Sequence, residues 1–394
     1  MVTKTTRLET LCNISIGRTP SRLEQYWFNS GKDSDWPWLS IKDMGVSSKY
    51  VTLTSETITF EGQKKFNIPI VKKGTVLVSF KLTVGRVSIA GIDMLTNEAI
   101  AQLPIINNNL LDKDFLYYYL KTYPWNTLGS TSSIATAVNS KMIKAMEITY
   151  PADISIQRKI ASILSSIDEK IDLNNNMNAM LEEKAELIFK KEIARFDDTP
   201  DEWQKVPLDS IADFLNGLAM QKYPAINGEP YLPVLKIAEL KRGFFDASSN
   251  TCTTKIKPEY YVYDGDVIFS WSASLVVDFW CGGTCGLNQH LFKVTSKMYD
   301  KWFYYMWTKY YLSDFVHEAA SKATTMGHIT RDRLNHAKVL IPDNYTYNRI
   351  GSLLTDFHTK IISNRLENKK LLELRDALLP KLMSGEIDVD GIEI

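Results

Sequence analysis

Residues 160–191 read IASILSSIDEKIDLNNNMNAMLEEKAELIFKK, and residues 350–381 read IGSLLTDFHTKIISNRLENKKLLELRDALLPK. The two stretches are 190 residues apart and share ten identical residues in 32 positions without a gap. Two unrelated helices would not share so many. The shared residues in the first copy are Ile160, Ser162, Leu164, Lys170, Ile171, Asn174, Asn178, Leu181, Glu183 and Lys191. We therefore predict two copies of one unit, each ending in a long helix.

Looser similarity extends the repeat beyond these helices. Leu8 and Gly17 match Leu208 and Gly217, and residues 73–79 (KGTVLVS) match residues 264–270 (DGDVIFS). A repeat of this length indicates a domain duplication, because the repeats of solenoid proteins are only ~20–50 residues long.

Both long stretches have the apolar spacing of a coiled coil. Mostly apolar residues recur at alternating steps of four and three from Ile160 to Ile188 and from Ile350 to Leu378, which keeps one face of each helix toward a partner. Each face includes two asparagines, which are Asn174, Asn178, Asn364 and Asn368.

A pseudo-twofold relation between the repeats would make the helices antiparallel. Asn174 would then lie near Asn368, and Asn178 near Asn364. Buried asparagines fix the register of a coiled coil, because mispairing leaves amides unsatisfied. The alternative is that the apolar face bends away and the amides are solvated.

Each long helix follows a module that reads as mixed α/β. Residues 76–80 and 87–90 predict a β-hairpin, as do residues 267–271 and 275–280. Aromatic residues in 115–123 and 302–311 predict short helices packed in a core. Pro151 and Pro342 end the modules just before the long helices.

Composition narrows the class of protein. The chain has 394 residues, of which 44% are hydrophobic, and no net charge. This length suits two domains, and a neutral total leaves nucleic-acid binding open because one face can still be basic. Residues 1–6 lack the apolar core of a signal peptide and no apolar run reaches the ~20 residues of a membrane helix, so we expect a cytoplasmic protein.

The four cysteines are unevenly spaced, which indicates reduced thiols rather than a disulfide framework. Cys281 and Cys285 would supply half of a metal site, but no second close pair exists.

No catalytic motif is apparent. The chain lacks a phosphate-binding Gly-x4-Gly-Lys-[Ser/Thr] loop, a Gly-x-Ser-x-Gly elbow, a His-Glu-x-x-His pair and the Asn-Pro-Pro-[Tyr/Phe] of amino-methyltransferases. Pro342 and Asp343 followed by Glu367 and Lys369 imitate a nuclease motif. That chemistry needs both latter side chains on one strand face, whereas two residues apart on a helix means ~200° of rotation.

Taken together and in order, these features resemble the specificity subunit of Type I restriction-modification systems. The resemblance covers nearly the whole chain and rests on residues 78–87 (VSFKLTVGRV), 156–160 (IQRKI), 287–290 (LNQH) and above all 378–387 (LLPKLMSGEI). One departure is that residues 130–137 lack a glycine corresponding to Gly327.

The resemblance implies an α+β fold in which two similar mixed α/β target recognition domains are separated by two long antiparallel coiled-coil helices, as a pseudo-twofold repeat. The expected domains are 1–153 (recognition domain 1), 154–195 (helical spacer 1), 196–343 (recognition domain 2), 344–384 (helical spacer 2) and 385–394 (C-terminal tail).

It also implies that each recognition domain reads one half of a bipartite, asymmetric double-stranded DNA site and that the helices set the gap. About 30 helical residues span roughly 45 Å, comparable with the ~34–36 Å between half-sites one turn apart. The implied partners are two methyltransferase subunits, and two restriction (translocase) subunits when the complex restricts. S-adenosylmethionine belongs to the methyltransferase, so the chain itself has no cofactor, no metal and no catalytic residue. The outward helix faces and the ends near Arg158 and Arg349 would form the partner surface.

Candidate DNA contacts are hydroxyl and cationic side chains in predicted turns and loops, because such groups bind phosphates and base edges. The candidates are Lys81, Thr83, Arg86, Ser130, Thr131, Ser132, Ser133 and Lys141 in the first module, and Ser270, Trp271, Ser272, Ser321, Lys322, Thr324, Thr325, His328 and Arg331 in the second. Each has the alternative of a solvated loop or a satisfied core residue, and packing is the favoured role of Trp271 and His290.

Two rival functions remain open. A nuclease or methyltransferase with an unrecognised site predicts activity from the isolated chain, and a coiled-coil scaffold predicts no salt-sensitive DNA binding.

Overall fold

The computed structural model describes residues 2–29, 31–32, 34–44, 49–128, 138–272, 274–321 and 331–392, with the side chains of 319–321 and 331 left out. The chain divides into two compact units. Unit 1 comprises Met1–Asp172 together with Leu371–Ile394, and unit 2 comprises Leu173–Lys370. Each unit therefore contains one module and a segment of both long helices.

The first module alternates short strands and short helices before the first long helix. Its strands are β1 (Thr3–Arg7), β2 (Ser15–Ile16), β3 (Trp36–Leu39), β4 (Tyr50–Val51), β5 (Glu56–Ile58), β6 (Val76–Ser79), β7 (Val87–Ala90), β8 (Leu95–Thr96), β9 (Ile100–Leu103) and β10 (Glu147–Pro151). Its helices are α1 (Leu8–Leu11), α2 (Phe60–Lys65), α3 (Lys113–Thr122) and α4 (Ser140–Ala145), followed by the long helix α5 (Ile154–Glu192). Short 3₁₀ turns occupy Gln25–Trp27, Ile41–Asp43 and Trp125–Thr127.

The second module follows a similar order, with its second short helix placed earlier and one additional helix before the last strand. Its strands are β11 (Gln204–Pro207), β12 (Asp213–Asn216), β13 (Tyr231–Leu235), β14 (Thr251–Thr253), β15 (Tyr261–Val262), β16 (Val267–Ser270), β17 (Val276–Phe279), β18 (Cys285–Leu287), β19 (Leu291–Thr295) and β20 (Lys338–Ile341). Its helices are α6 (Leu208–Ile211), α7 (Ile237–Arg242), α8 (Lys301–Tyr310), α9 (Leu312–Ser321) and α10 (Arg331–His336), followed by the long helix α11 (Asn344–Ser384). Its 3₁₀ turns are Phe196–Asp198, Met220–Lys222 and Pro258–Tyr260.

The sheets of the two units share most of their strand order, but the fourth strand of unit 1, β4, pairs with β7, whereas β15 of unit 2 pairs with β18. In unit 1 the strand orders are β2-β9-β6-β7-β4, β5-β3-β8 and β1-β10, and in unit 2 they are β12-β19-β16-β17, β14-β13-β18-β15 and β11-β20. Both predicted hairpins are present as β6–β7 and β16–β17. Each unit has a parallel pair at the same place, β3 with β8 and β13 with β18, and unit 1 has a second parallel pair, β4 with β7. The duplication predicted from the helices therefore extends to the modules.

One close approach recurs in both units. A Cβ atom on Gly17 would lie 2.0 Å from the carbonyl oxygen of Thr96, and one on Gly217 would lie 2.3 Å from that of Asn288. Both distances are too short for a side chain, so this shared backbone packing requires glycine.

The long helices complete the core of each unit. In unit 1 Ile160 and Leu164 of α5 and Leu382 of α11 join the apolar cluster of the module. In unit 2 Phe189 of α5 and Leu354 of α11 do the same. The aromatic helices α3 and α8 bury most of their rings against these residues, which confirms the predicted core role.

The predicted apolar faces of α5 and α11 are the buried ones. Every position from Ile160 to Ile188 and from Ile350 to Leu378 in the alternating pattern is buried or half-buried. Within each unit the two helix segments run antiparallel, as the contacts between their side chains show. The predicted α+β class, with two similar mixed α/β modules and two long antiparallel helices, is confirmed. None of the described helices is both long and apolar enough to cross a membrane.

Candidate nucleic-acid interface

The β6–β7 turn of the first module is built around a buried serine. Ser79 is fully buried; its hydroxyl donates to the carbonyl oxygen of Thr83 and accepts from the amide of Arg86 at 3.0 Å. The side chains of Lys81 and Thr83 are exposed. The Arg86 guanidinium is half-buried and donates to the carbonyl oxygen of Ile41 at 2.8 Å. The turn thus brings three predicted contacts to one place on the surface of the module.

The β16–β17 turn of the second module is also built around a buried serine. Ser270 is fully buried and its hydroxyl donates to the carbonyl oxygen of Ser274 at 2.8 Å. Ser272 is buried too, with its hydroxyl 3.2 Å from Nδ1 of His290. Of the two hydroxyls predicted as DNA contacts, that of Ser270 therefore bonds within the hairpin, and that of Ser272 contacts His290 outside the hairpin.

Trp271 is partly packed against its neighbours and partly exposed. Its indole nitrogen donates to the Asn216 carboxamide at 3.0 Å, and its ring lies 5.8 Å from that of Phe292 and 6.1 Å from that of His290. These contacts fit the favoured packing role of Trp271 and His290, although part of the indole remains accessible.

Of the remaining predicted contacts, only a few lie in the part of the chain that the structure describes. Lys141 is exposed in the first turn of α4, which the Asn139 side chain caps. Ser130, Thr131, Ser132, Ser133, Lys322, Thr324, Thr325 and His328 lie outside the described residues. Ser321 ends α9 and Arg331 begins α10, and their side chains also lie outside the described part.

In unit 1, buried charges join the module to both long helices. Lys49 is almost fully buried and pairs with Asp114 of α3 at 2.7 Å and with the Ser165 hydroxyl of α5 at 2.7 Å. Asp168 of α5 accepts from the Tyr118 hydroxyl at 2.7 Å and from Arg375 of α11 at 2.9 Å. These bonds fix the orientation of the module on the helix segments of its own unit.

In unit 2, Arg365 of α11 has the corresponding role with different partners. Its guanidinium donates to Asp278 of β17 at 2.7 Å and to Glu182 of α5 at 2.9 Å. Burial opposes the charge, but the two carboxylates outweigh it and raise the pKa of Arg365 above its usual value. Lys309 of α8 adds ion pairs with Glu186 at 3.1 Å and Glu182 at 3.5 Å.

The sequence pattern did not predict these ion pairs between the modules and the long helices, although it contains one sign of them. Arg375 occupies a position of the predicted apolar face, and a cation facing a partner helix requires a buried counter-charge. Arg365 lies outside that face, so the pattern does not mark it.

The four asparagines are buried and bonded across the helices. The Asn174 side chain donates to Asn368 at 2.9 Å and to Glu367 at 2.9 Å, and Asn364 donates to Asn178 at 2.8 Å. Both contacts expected for an antiparallel pair are present, and the solvated alternative does not apply. Glu367 belongs to this helical network, with Lys369 in the same helix, so the nuclease-like spacing does not place them on a strand.

The cysteines of the second module are inert thiols. Cys281 and Cys285 are free and buried, and burial raises the pKa of Cys281 to about 11. In the described ranges, no group of three or more His, Cys, Asp or Glu side chains is arranged to hold a metal ion.

We predict that the Asn178–Asn364 pair shows strong coupling in a double-mutant cycle. N364L strands the Asn178 amide in the helix interface and should lower the free energy of unfolding by about 1–3 kcal/mol. N178L/N364L should recover at least about 1 kcal/mol of that loss, because two apolar side chains leave no unsatisfied amide. Urea denaturation measures both values. N176L, at an exposed position of the same helix, is the control and should change stability by under about 0.5 kcal/mol. Additive effects of N178L and N364L would contradict the pairing.

We predict that His358 makes unit 2 sensitive to acid. Burial, with Lys309 nearby, lowers the pKa of His358 from 6.5 to about 3, and Phe279 and Tyr305 enclose its ring. Between pH 6.5 and 3 the unfolded chain binds a proton that the folded chain does not. The free energy of unfolding should therefore decrease as the pH is lowered through this window, by up to about 1.4 kcal/mol per pH unit. H358F should flatten that fall in pH-dependent denaturation. H317Q, which changes an exposed histidine, should not, and an unchanged profile for H358F would refute the prediction.

Comparisons with known proteins agree with this architecture. A family model described as the Type I restriction modification DNA specificity domain matches residues 3–183 and, a second time, residues 200–374. The MjaIX specificity subunit of Methanocaldococcus jannaschii is 25% identical over 415 residues, covering 98% of this chain and 94% of the relative. The EcoBI specificity subunit of Escherichia coli is 23% identical over 193 residues, which cover 48% of this chain and 40% of that protein.

A solved structure shows the same fold. The S subunit of the Type I restriction-modification system from M. genitalium superposes with a TM-score of 0.57 at 17% identity, covering 97% of this chain and 96% of that one. Since the family model matches nearly the whole chain as two successive copies, the chain belongs to the family of DNA specificity subunits of Type I restriction-modification systems.

Proposed function

We propose that each module of this chain reads one half of a split, asymmetric DNA site and that the paired helices set the gap between the halves. One observation carries the proposal: the two units share a scaffold but differ on the turn that the scaffold presents. The buried serines Ser79 and Ser270 occupy the same place, yet the residues that follow are FKLTV in one unit and WSASL in the other. Two readers of different sequences need this combination of a constant core and variable exposed side chains.

The first module would contact DNA through its β6–β7 turn. Lys81 and Thr83 are exposed, and Arg86 remains partly accessible. Lysine and arginine bind phosphates or the guanine edge, and threonine contacts either phosphates or bases. Lys141, which is exposed, and the hydroxyl-bearing residues 130–133 selected from the sequence complete the proposed set of contacts.

In the second module the proposed contacts are Trp271 and the residues from Ser321 to Arg331 selected from the sequence. Ser270 and Ser272 are placed in the supporting scaffold, because both are buried, with the Ser270 hydroxyl bonded within the turn and the Ser272 hydroxyl in contact with His290. The functional boundaries of the two readers would be residues 1–153 and 196–343.

The outward faces of the long helices would dock two methyltransferase subunits, with restriction subunits added in the cleaving complex. Leu173, Met180 and Leu187 support this surface: they recur every seven residues on α5 and are each more than half exposed. Exposed apolar side chains on one helix face are typical of a protein interface. Near the beginning of α5, Arg158 lines a surface pocket of about 760 Å³, and Arg349 pairs with Glu192 at 2.7 Å.

Catalysis would belong to those partners. The methyltransferase would hold S-adenosylmethionine, and this chain would contribute DNA binding alone. A pure scaffold would show no salt-dependent DNA affinity, whereas binding to phosphates makes affinity fall steeply with salt. A hidden nuclease or methyltransferase would act without partners.

We predict that this chain determines which adenines its partner methylates. Methylome sequencing of a host that carries the neighbouring methyltransferase, with and without this chain, should differ by one split N6-methyladenine motif. The control is a host that carries this chain without the methyltransferase, which should lack the motif as well. An unchanged methylome, with both proteins shown to be expressed, would refute the proposed function and favour the scaffold.

A further inference from the structure

Leu82 presents an apolar side chain to solvent at the tip of the β6–β7 hairpin. Leu82 is 95% exposed, and its backbone has φ = 60°. The left-handed region is unfavourable for a residue with a Cβ, and a bulky residue there is rare outside strained turns. Neither burial nor an easy backbone conformation explains a leucine at this position.

The turn holds this strained residue in place. The buried Ser79 bonds to both sides of the turn, to Thr83 and to Arg86, and its carbonyl oxygen accepts from the amide of Gly85 at 2.9 Å. Gly85 has φ = 87° and packs on Trp125, where an added Cβ would lie 2.4 Å from the indole. Leu82 is therefore presented by a braced hairpin, and strain of this kind persists where the surroundings enforce it.

The neighbours of Leu82 suit a nucleic acid. Lys81 and Thr83 flank it and are exposed, so an apolar tip stands between a cation and a hydroxyl. A two-stranded β-ribbon fits the ~12 Å wide major groove, where thymine offers its C5-methyl group to apolar side chains.

The repeat distinguishes DNA from a protein partner. Counting three residues on from the buried serine, the second copy has Ala273 in the sequence where the first has Leu82. A protein that binds both repeats alike would need the same residue twice. The target DNA differs between its two halves, so it permits leucine in one reader and alanine in the other.

We propose that Leu82 is a specificity-determining residue, which packs on the C5-methyl group of a thymine in the half-site read by the first module. This inference rests on the proposed function and goes beyond it, because it assigns a chemical group of the DNA to one side chain.

The test compares L82A with L23A in the complete complex of this chain with its methyltransferase. Leu23 is 94% exposed in the same unit, so the pair matches in chemistry and exposure. On a duplex bearing the methylated motif, L82A should bind about tenfold more weakly, as expected for the loss of a buried isobutyl contact. L23A should bind like the wild type, and neither change should affect a scrambled duplex. Equal affinities of L82A and L23A for the motif would overturn the proposal.

Uracil identifies the contact, because it lacks only the methyl group of thymine. Replacing one thymine of the first half-site by uracil should weaken wild-type binding about tenfold and leave L82A unaffected. Wild-type binding that ignores every such replacement would refute the assignment to thymine. A wild-type complex that does not distinguish the motif from the scrambled duplex would instead refute the proposed function.

Discussion

The antiparallel pairing of the two long helices is the constraint on which the rest of the structure depends. Unit 1 is discontinuous in sequence and requires Leu371–Ile394 from the end of the chain. Its apolar core includes Ile160 and Leu164 of one helix and Leu382 of the other, so neither the module nor a single helix completes it. The buried amide pairs then select one register, because a shift of the helices would leave several amides unsatisfied.

Ion pairs and hydrogen bonds attach the modules to the paired helices. Asp168 and Arg375 join the helices in unit 1, and Tyr118 of the module bonds to the same carboxylate. Arg365 bonds to a strand of the module and to the opposite helix in unit 2. Separating a buried or half-buried charge from its partner costs free energy, so these bonds hold each module in one orientation on its own helix segments.

The two units show which positions are constrained and which are free. Gly17 and Gly217 meet a carbonyl oxygen at the same place, and Ser79 and Ser270 close the same turn. At the tip of the first hairpin, the side chains of Lys81, Leu82 and Thr83 are exposed, so they can change without loss of the fold. This division is what a pair of DNA readers with different targets requires.

The fold could be predicted from the sequence because a buried helix face requires apolar residues at a regular spacing. The four-and-three spacing predicted both helices, and symmetry alone placed Asn174 beside Asn368. The candidate DNA contacts were harder to predict from the sequence. A serine hydroxyl looks the same in a sequence whether it faces DNA or bonds inside the module. Ser270 and Ser272 are buried and bond inside the module. Leu82 carried no signal, since exposure and backbone strain exist only in three dimensions.

The claim that the helices set the gap is tested most directly by lengthening both. Four residues would be inserted between Asp172 and Leu173 and four between Lys370 and Leu371, where each helix passes from one unit to the other. Four residues add ~6 Å and ~40° beyond a full turn, and a coiled coil tolerates such an insertion by local unwinding. One base pair adds ~3.4 Å and ~34–36° of twist. If the helices set the gap, the methylated motif should keep both half-sites, and its gap should grow by one base pair, as the added rotation requires, or by two, as the added length requires. Full methylation of the original motif with an unchanged gap would contradict this role of the helices.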